Sequence, residues 1–262
     1  MSYFIGTYVP VADGGPRFVP SAPFNHTTSM KSESGDLMGP NRALGGGLSI
    51  MKTGGVGSNN VMNASSRRVY FGTIELRPLT IPNPAPDENT THSNFIVSLP
   101  RDLSLLVLSD GTPRLGFAFV PELSALRVPS SHQVWPRDGR MGDQHVSGAI
   151  RNGSRSFETI VEFPPYSPGS SGGDLSPYGL QFLGTVSIMY DPALRSVAGM
   201  ALNLPKGQGP RFHCFVDAIA VECVVSNQTN HMFSTASLGS GAVVVGSVTP
   251  SRIQSWELSR AD

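Results

Sequence analysis

Short apolar runs, separated by clusters of Gly, Pro, Asn and Ser, recur along nearly the whole chain of 262 residues. The runs are rich in Val, Ile, Phe and Tyr and lack the helical period, so the pattern predicts many short strands joined by turns. We predict strands at 3–9, 46–51, 69–76, 94–99, 103–109, 114–120, 145–150, 156–163, 179–190, 196–204, 211–225 and 241–248. Weak helical patterns occur at 121–127 and 250–259.

The predicted strand content indicates the fold class. Many short strands with turn signals between them are typical of antiparallel sandwiches and barrels. We therefore predict an all-β protein, an antiparallel jelly-roll β-sandwich with an extended N-terminal arm. The arm, with one or two strands, occupies 1–67, the sandwich 68–250 and a C-terminal tail 251–262. The arm is assigned because this part of the chain is rich in Gly, Asn, Ser and Met and has long stretches without a pattern.

The longest predicted strand, RFHCFVDAIAVECVV at 211–225, is apolar on both faces. Such a pattern is typical of a central strand that is covered on each side. Cys214 and Cys223 are nine residues apart, an odd number, so on one continuous strand they point to opposite faces. We therefore predict two buried, reduced thiols. His213 and Asp217 share a face, and we interpret them as a hydrogen-bonded structural couple or a subunit contact rather than an acid–base pair.

The chain contains few charges. Charged residues make up 15% of it, well below the roughly 25% usual for soluble domains. The formal net charge is zero, whereas a strongly basic chain would favour nucleic acid through phosphate neutralisation. A surface with so few charges needs another means of staying in solution, or neighbouring subunits cover it. The composition is thus typical of a protein that assembles.

Targeting and metal signals are weak. No window approaches the roughly 18 apolar residues of a membrane span, and MSYFIGTYVPVADGG does not have the pattern of a signal peptide. We therefore expect an intracellular chain without membrane contact. Five Asn-X-Ser/Thr sequons, expected to be unmodified and to mark exposed loops, are at Asn25, Asn63, Asn89, Asn152 and Asn227. The six histidines lack metal-ligand spacing, so we expect no metal and no cofactor.

One segment resembles a protease motif. GSSGGDL, at 169–175, is close to the G-x-S-G-G loop of trypsin-like serine proteases, and DLSLL resembles the string that holds their orienting aspartate. The resemblance implies that Ser171 is the nucleophile and Asp102 the triad acid. The window 57–72, in which that family places its histidine, contains none, so the general base is missing. A trypsin-like fold without activity is therefore the alternative interpretation, and we expect no enzyme.

A second resemblance covers the same region. FETIVEFPPYSP, the Gly/Ser loop and GTVSIMYDP together resemble two successive strands in coat proteins of small icosahedral positive-strand RNA viruses. In that family one strand ends in an aromatic–proline stretch and the next in an aromatic–Asp pair, here Tyr190-Asp191. The resemblance implies a structural capsid protein that forms an icosahedral shell around the genome. Its partners would be further copies of itself and other capsid subunits, in the virion and in the host cytoplasm during assembly.

Many such coats have a strongly basic arm that neutralises the packaged RNA, whereas this arm is only mildly basic. The candidate cations for RNA contact are Arg17, Lys31, Arg42, Lys52, Arg67 and Arg68. Two further classes stay open, a non-enzymatic β-sandwich binding module and a plant-virus movement protein.

Overall fold

The structure, a computed structural model, describes residues 6–11, 14–20, 49–53, 67–71, 73–75, 95–108, 111, 113–135, 150–165, 176–218, 220–234 and 239–259. These residues form an all-β structure with antiparallel sheets, as predicted. The strands are β1 (Gly6–Val11), β2 (Gly14–Pro20), β3 (Ser49–Thr53), β4 (Arg67–Phe71), β5 (Thr73–Glu75), β6 (Phe95–Val97), β7 (Arg101–Val107), β8 (Pro113–Phe119), β9 (Gln133–Trp135), β10 (Phe157–Glu162), β11 (Tyr178–Phe182), β12 (Val186–Asp191), β13 (Ser196–Val197), β14 (Met200–Ala201), β15 (Arg211–Asp217), β16 (Ala220–Val225), β17 (Thr229–Ser234), β18 (Ala242–Val245) and β19 (Arg252–Glu257).

Two sheets form a β-sandwich. Among the described residues, one sheet has six strands in the order β17-β16-β15-β10-β19-β9, and the other has five in the order β14-β13-β12-β11-β18. Side chains from both sheets meet in one hydrophobic core, with Phe157 and Phe212 from the first and Leu180 and Ile188 from the second. All four of these side chains are 0% exposed. Burial of this apolar surface is the main force that holds the two sheets together.

The opposite face of the six-stranded sheet is covered as well. A sheet in the order β3-β4-β7-β8 lies against it, and the two share a second hydrophobic core. This core joins Val69, Phe117 and Phe119 to Phe215 and Val224. The six-stranded sheet is therefore the middle of three β layers, and its strands β15 and β16 are apolar on both faces for that reason.

The segment 211–225 is buried on both faces, as predicted, but it is a hairpin rather than one strand. The chain reverses between Asp217 and Ala220, and no Gly, Pro or Asn in the sequence marks that turn. The reversal brings Cys214 directly opposite Cys223, where the two form a disulfide with a Cα–Cα distance of 4.1 Å. The prediction of two reduced thiols is therefore wrong.

Disulfide formation follows from the position of the pair in the hairpin ladder. Counting outward from the Asp217–Ala220 pair, Cys214 and Cys223 fall at a position where opposite residues exchange no backbone hydrogen bonds. Side chains are closest at such positions, with Cα atoms about 4.5 Å apart. Both sulfurs lie in the core between the two sandwich sheets, and both residues are 0% exposed.

Other predicted elements also changed. The predicted strand 179–190 is a second hairpin, β11 and β12, and the predicted helix 121–127 is a 3₁₀ helix at Pro121–Leu126. The prediction of a helix at 250–259 is wrong, because β19 lies there and pairs with β10 and β9. The predicted boundaries of arm, sandwich and tail stay predictions.

Candidate functional site

Glu158, on the middle strand β10, is the centre of a buried polar cluster, and its side chain is 0% exposed. The Arg127 guanidinium donates to both of its carboxylate oxygens, from Nε to Oε2 and from Nη2 to Oε1, each at 2.6 Å. Nε2 of His213, on the neighbouring strand β15, is 2.7 Å from Oε1. This cluster ties β10 and β15 to the segment that follows the 3₁₀ helix.

The ionisation states of this cluster follow from its contacts. Burial by itself would raise the pKa of Glu158, but the hydrogen bonds and charges of Arg127 and His213 outweigh burial and hold that pKa below its usual value. Burial lowers the pKa of His213, and the neighbouring carboxylate opposes this only in part. At neutral pH a neutral His213 therefore donates its Nε2–H to an ionised Glu158, since a carboxylate only accepts.

Trp256 lies beside this cluster, because the β10–β19 register places it opposite Glu158. The Arg127 guanidinium carbon is 4.1 Å from the centroid of the indole ring. His132 stacks on the same indole, with centroids 4.5 Å apart and an interplanar angle of 3°. Trp256 is only 9% exposed, so its ring is covered by protein side chains and is not offered to a ligand.

The partner of His213 differs from the predicted one. The sequence suggested Asp217, four residues further on, but the hydrogen bond of His213 goes to Glu158 on the adjacent strand. Asp217 is exposed at the end of β15, where its carboxylate accepts a hydrogen bond of 2.7 Å from the backbone N–H of Ala218. The interpretation of these two residues as a couple is therefore wrong.

A second buried ion pair joins the outer four-stranded sheet to the middle sheet. Nη2 of Arg101, on β7, lies 2.7 Å from Oε2 of Glu222, on β16, and the side chains are 0% and 7% exposed. The backbone N–H of Leu99 also donates to Glu222, at 3.1 Å, and the carbonyl of Leu99 accepts from Arg101 at 2.6 Å. The Arg101 guanidinium carbon is 4.9 Å from the centroid of the Phe119 ring. Both oxygens of Glu222 are therefore engaged in holding the layers together.

The sequence contains a signal for both buried glutamates. Glu158 lies within FETIVEF and Glu222 within AVECVV, so each interrupts an apolar run. A carboxylate in a strand that is buried on both faces requires a cationic partner, because an unpaired buried charge is too costly. The partner itself was not predictable, since Arg101 and Glu222 are 121 positions apart.

An open cavity of about 610 Å³ lies at one end of the sandwich. Its described lining consists of Asn152, Gly153, Ser154, Arg155, Ser156, Glu257 and Leu258. The wall is mainly polar, so it can exchange hydrogen bonds with hydroxyl groups. Nη1 of Arg151 lies 3.7 Å from Oε1 of Glu257 at its edge.

The two buried glutamates are not available to a ligand. Glu158 and Glu222 are buried and hydrogen-bonded within the protein, so neither can reach a bound molecule. Among its described lining residues, the cavity has one carboxylate, Glu257. Glu158 and Glu222 therefore belong to the framework, and the cavity provides a polar surface.

Of the two residues implied by the protease resemblance, Asp102 lies on β7, opposite Ala118 of β8. Ser171 lies outside the described residues. Of the candidate RNA-contacting cations, Arg17, Lys52, Arg67 and Arg68 belong to β2, β3 and β4, whereas Lys31 and Arg42 lie outside the described residues. RNA contact stays a prediction.

Two further observations concern metals and membranes. In the part of the chain that the structure describes, no three His, Cys, Asp or Glu side chains are grouped so that they could hold a metal ion. Within the same ranges, no helix has the length and apolar character needed to cross a membrane.

Comparison with known proteins finds likeness in structure but not in sequence. No family model and no curated protein matches the chain. The exo-inulinase from Aspergillus awamori shares the fold with a TM-score of 0.58 at 13% identity, over 98% of this chain and 50% of the enzyme. The fructan 1-exohydrolase IIa from Cichorium intybus matches with a TM-score of 0.49 at 13% identity, over 76% of this chain and 46% of that one. The sucrose-6-phosphate hydrolase from Lactobacillus gasseri matches with a TM-score of 0.44 at 13% identity, over 75% and 39%.

These matches concern the fold, and the chain spans half or less of the length of each of the three enzymes. The capsid interpretation is wrong, because the fold shared over 98% of the chain is that of an exo-inulinase rather than of a virus coat protein. The trypsin-like alternative is wrong for the same reason. The expectation of no enzyme is corrected with them, because the structure that shares this fold is named as an exo-inulinase.

Proposed function

We propose that this chain forms all or part of a glycoside hydrolase that acts on β-fructosides. One observation carries the proposal, the fold that 98% of the chain shares with the exo-inulinase from Aspergillus awamori. The identity of 13% leaves the substrate to be tested, because one fold can host several functions. The low charge of the chain fits a protein whose ligand is an uncharged sugar polymer.

The geometry favours a specific role for the described residues. The three β layers, joined by the pairs Glu158–Arg127 and Glu222–Arg101, form a framework whose buried charges are satisfied. Because both glutamates are engaged in those pairs, we assign them to stability rather than to proton transfer. The catalytic carboxylates of the proposed activity would come from outside the described residues.

We also propose that the sandwich has the predicted jelly-roll winding. Strand β10 pairs with β19 in one sheet, and β11, which follows β10, pairs with β18, which precedes β19. The chain thus passes from one sheet to the other as two paired segments. Such paired passage supports a jelly-roll arrangement, which is built from two sheets with long antiparallel crossings.

The test is a hydrolysis and binding assay on the purified chain. Inulin, 1-kestose and sucrose are offered as β-fructosides, and maltose and cellobiose as controls that contain no fructose. We expect fructose release in proportion to the amount of chain, or saturable binding of inulin oligosaccharides by calorimetry. A parallel purification from host cells without the gene controls for contaminating enzymes. The absence of both fructose release and binding, with a folded chain, would overturn the proposal.

A further inference from the structure

The hairpin β15–β16 contains a disulfide, which indicates the redox conditions in which the chain folds. Cys214 and Cys223 are joined across it in the hydrophobic core, and neither is exposed. Structural disulfides of this kind form and persist in oxidising compartments and are rare in the cytosol, where thiols are kept reduced. One of these compartments, the lumen of the endoplasmic reticulum, contains the machinery that modifies asparagine in Asn-X-Ser/Thr sequons.

The next turn along the chain presents such a sequon, Asn227-Gln228-Thr229. It connects β16 to β17, and the backbone N–H of Gln228 donates to the carbonyl of Val225 at 2.9 Å. Ser226 and Asn227 both have positive φ, 49° and 57°, which is the conformation of a tight hairpin turn. The Asn227 side chain is exposed, although the strands on both sides of the turn are buried.

The backbone of Asn227 is held in place while its side chain faces outward. Its carbonyl accepts a hydrogen bond of 2.9 Å from the N–H of Phe117, on the adjacent outer layer. The turn is therefore anchored to two layers of the protein. A large group attached to the side chain would extend from a fixed point and would not enter either core.

A second described sequon, Asn152-Gly153-Ser154, has the same character. Asn152 is exposed in a turn flanked by two left-handed residues, Arg151 with φ 55° and Gly153 with φ 88°. A Cβ added at Gly153 would have no heavy atom within 4 Å, so the space beside the sequon is open. Asn152 also borders the cavity of about 610 Å³, which has room for the first sugar of a glycan.

From the disulfide and these two exposed turns we infer that Asn152 and Asn227 are N-glycosylation sites, used when the chain passes through an oxidising secretory compartment. Glycans there would also add hydration to a chain in which only 15% of the residues are charged. This inference does not rest on the proposed hydrolase function. It also reverses the expectation that the sequons are unmodified.

The step transfers an oligosaccharide from a lipid-linked pyrophosphate donor to the side-chain amide. Nδ2 of Asn227, or of Asn152, forms a C–N bond to the anomeric carbon of the sugar. The C–O bond to the pyrophosphate breaks, the lipid pyrophosphate leaves with the bonding electrons, and one amide proton passes to a base of the transferase. No electron is gained or lost in the transfer.

The test uses the full chain, secreted from a eukaryotic host and treated with peptide N-glycosidase in heavy-oxygen water. Each occupied asparagine is converted to a labelled aspartate, and peptide mass spectrometry assigns the position. We expect label at Asn152 and Asn227. Label at neither, in a secreted chain whose two cysteines are disulfide-bonded, overturns the inference. Label at one alone supports that site and overturns the other.

Matched variants separate modification from folding. Asn227→Gly keeps the left-handed turn, since glycine accepts positive φ, but removes the acceptor nitrogen. Thr229→Ser keeps this sequon. At the other sequon, Ser154→Ala removes the required hydroxyl, and Ser154→Thr keeps it. Translation in vitro with microsomal membranes, of the chain preceded by a cleavable signal sequence that directs it into the lumen, reads occupancy as a gel shift and does not require the chain to fold or to be secreted. Asn227→Gly and Ser154→Ala must each lose one shifted band, and bands that persist in both variants would contradict the assignment.

Discussion

The guanidinium of Arg127 donates two hydrogen bonds of 2.6 Å to the buried carboxylate of Glu158, one to each oxygen. Arg127 follows the 3₁₀ helix, whereas Glu158 lies in β10, a strand of the middle sheet with five of its six residues buried. The pair therefore fixes a surface segment to the interior. Removing one partner leaves the other charge without compensation, and this makes the pair a sensitive point for stability.

We predict that Glu158→Gln lowers the free energy of unfolding by about 3 kcal/mol, because it removes the buried carboxylate that pairs with the half-buried Arg127 guanidinium. Urea denaturation followed by fluorescence measures the change. Glu162→Gln, on the same strand, is the matched control: its partner Arg211 is 3.4 Å away, and the two side chains are 37% and 40% exposed. We expect that control to cost no more than about 1 kcal/mol. Equal losses in the two variants would show that burial of the pair is unimportant.

The pair Arg101–Glu222 allows a double-mutant cycle. Arg101→Met and Glu222→Leu should each cost about 3–5 kcal/mol, since each leaves a buried charge unpaired. The double variant should cost less than the sum of the two by at least about 1 kcal/mol, because no charge then remains buried. Strict additivity of the three unfolding free energies would argue against a direct interaction.

We expect the disulfide to stabilise the chain by about 2–3 kcal/mol, given the short loop between Cys214 and Cys223 and the dependence of chain entropy on loop length. The variant Cys214→Ala/Cys223→Ala, compared with the oxidised parent by urea denaturation, measures that contribution. The parent without reductant should show no reactive thiol when it is denatured. Two titratable thiols under those conditions would contradict the pairing.

The pH dependence of stability should report His231, which is fully buried on β17. Burial and, secondarily, the charge of Arg101 lower the pKa of His231 to about 3, against 6.5 when exposed. Between those two values the unfolded chain binds the proton and the folded chain does not, so stability falls as the pH falls. His231→Gln should remove up to about 1.4 kcal/mol per pH unit from the slope between pH 6 and pH 4.

Glu158 also contributes to that slope, because its pKa is lowered in the folded chain. The stabilisation that Glu158 provides is fully present above the usual carboxyl pKa and is lost as the pH falls through the folded pKa. The informative quantity is therefore the difference between the parent and His231→Gln, measured at each pH by urea denaturation. Parallel curves for the two proteins would show that His231 does not titrate on unfolding.

The all-β class was predictable because it depends on local properties, the short apolar runs and the turn residues between them. The reversal within 211–225 was not, since the sequence DAIA at 217–220 has no Gly, Pro or Asn, and the single Asp217 does not mark a turn by itself. Because this turn was missed, the prediction for the two cysteines was wrong, and so was the face assigned to each residue of β16. The strand Arg252–Glu257 was not predictable either, because its pairing with β10 joins positions about 95 apart.

The buried polar clusters could not be predicted from the sequence, and the coat-protein resemblance was misleading, for related reasons. Glu158 is 31 positions from Arg127 and 55 from His213, so no local spacing reveals their contact. The coat-protein resemblance rested on FETIVEFPPYSP and GTVSIMYDP, which are patterns of buried strands and aromatic–proline turns. Those patterns follow from sandwich packing itself, and unrelated sandwiches share them.

The place of β19 beside β10 has a consequence for synthesis of the chain. Strand β10 leaves the ribosome long before its neighbour β19, and until β19 arrives its hydrogen-bonding edge stays unoccupied. An open apolar edge can pair with the same edge of another nascent chain. Folding of the middle layer is therefore a late event, and high expression rates should favour inclusion bodies over folded protein.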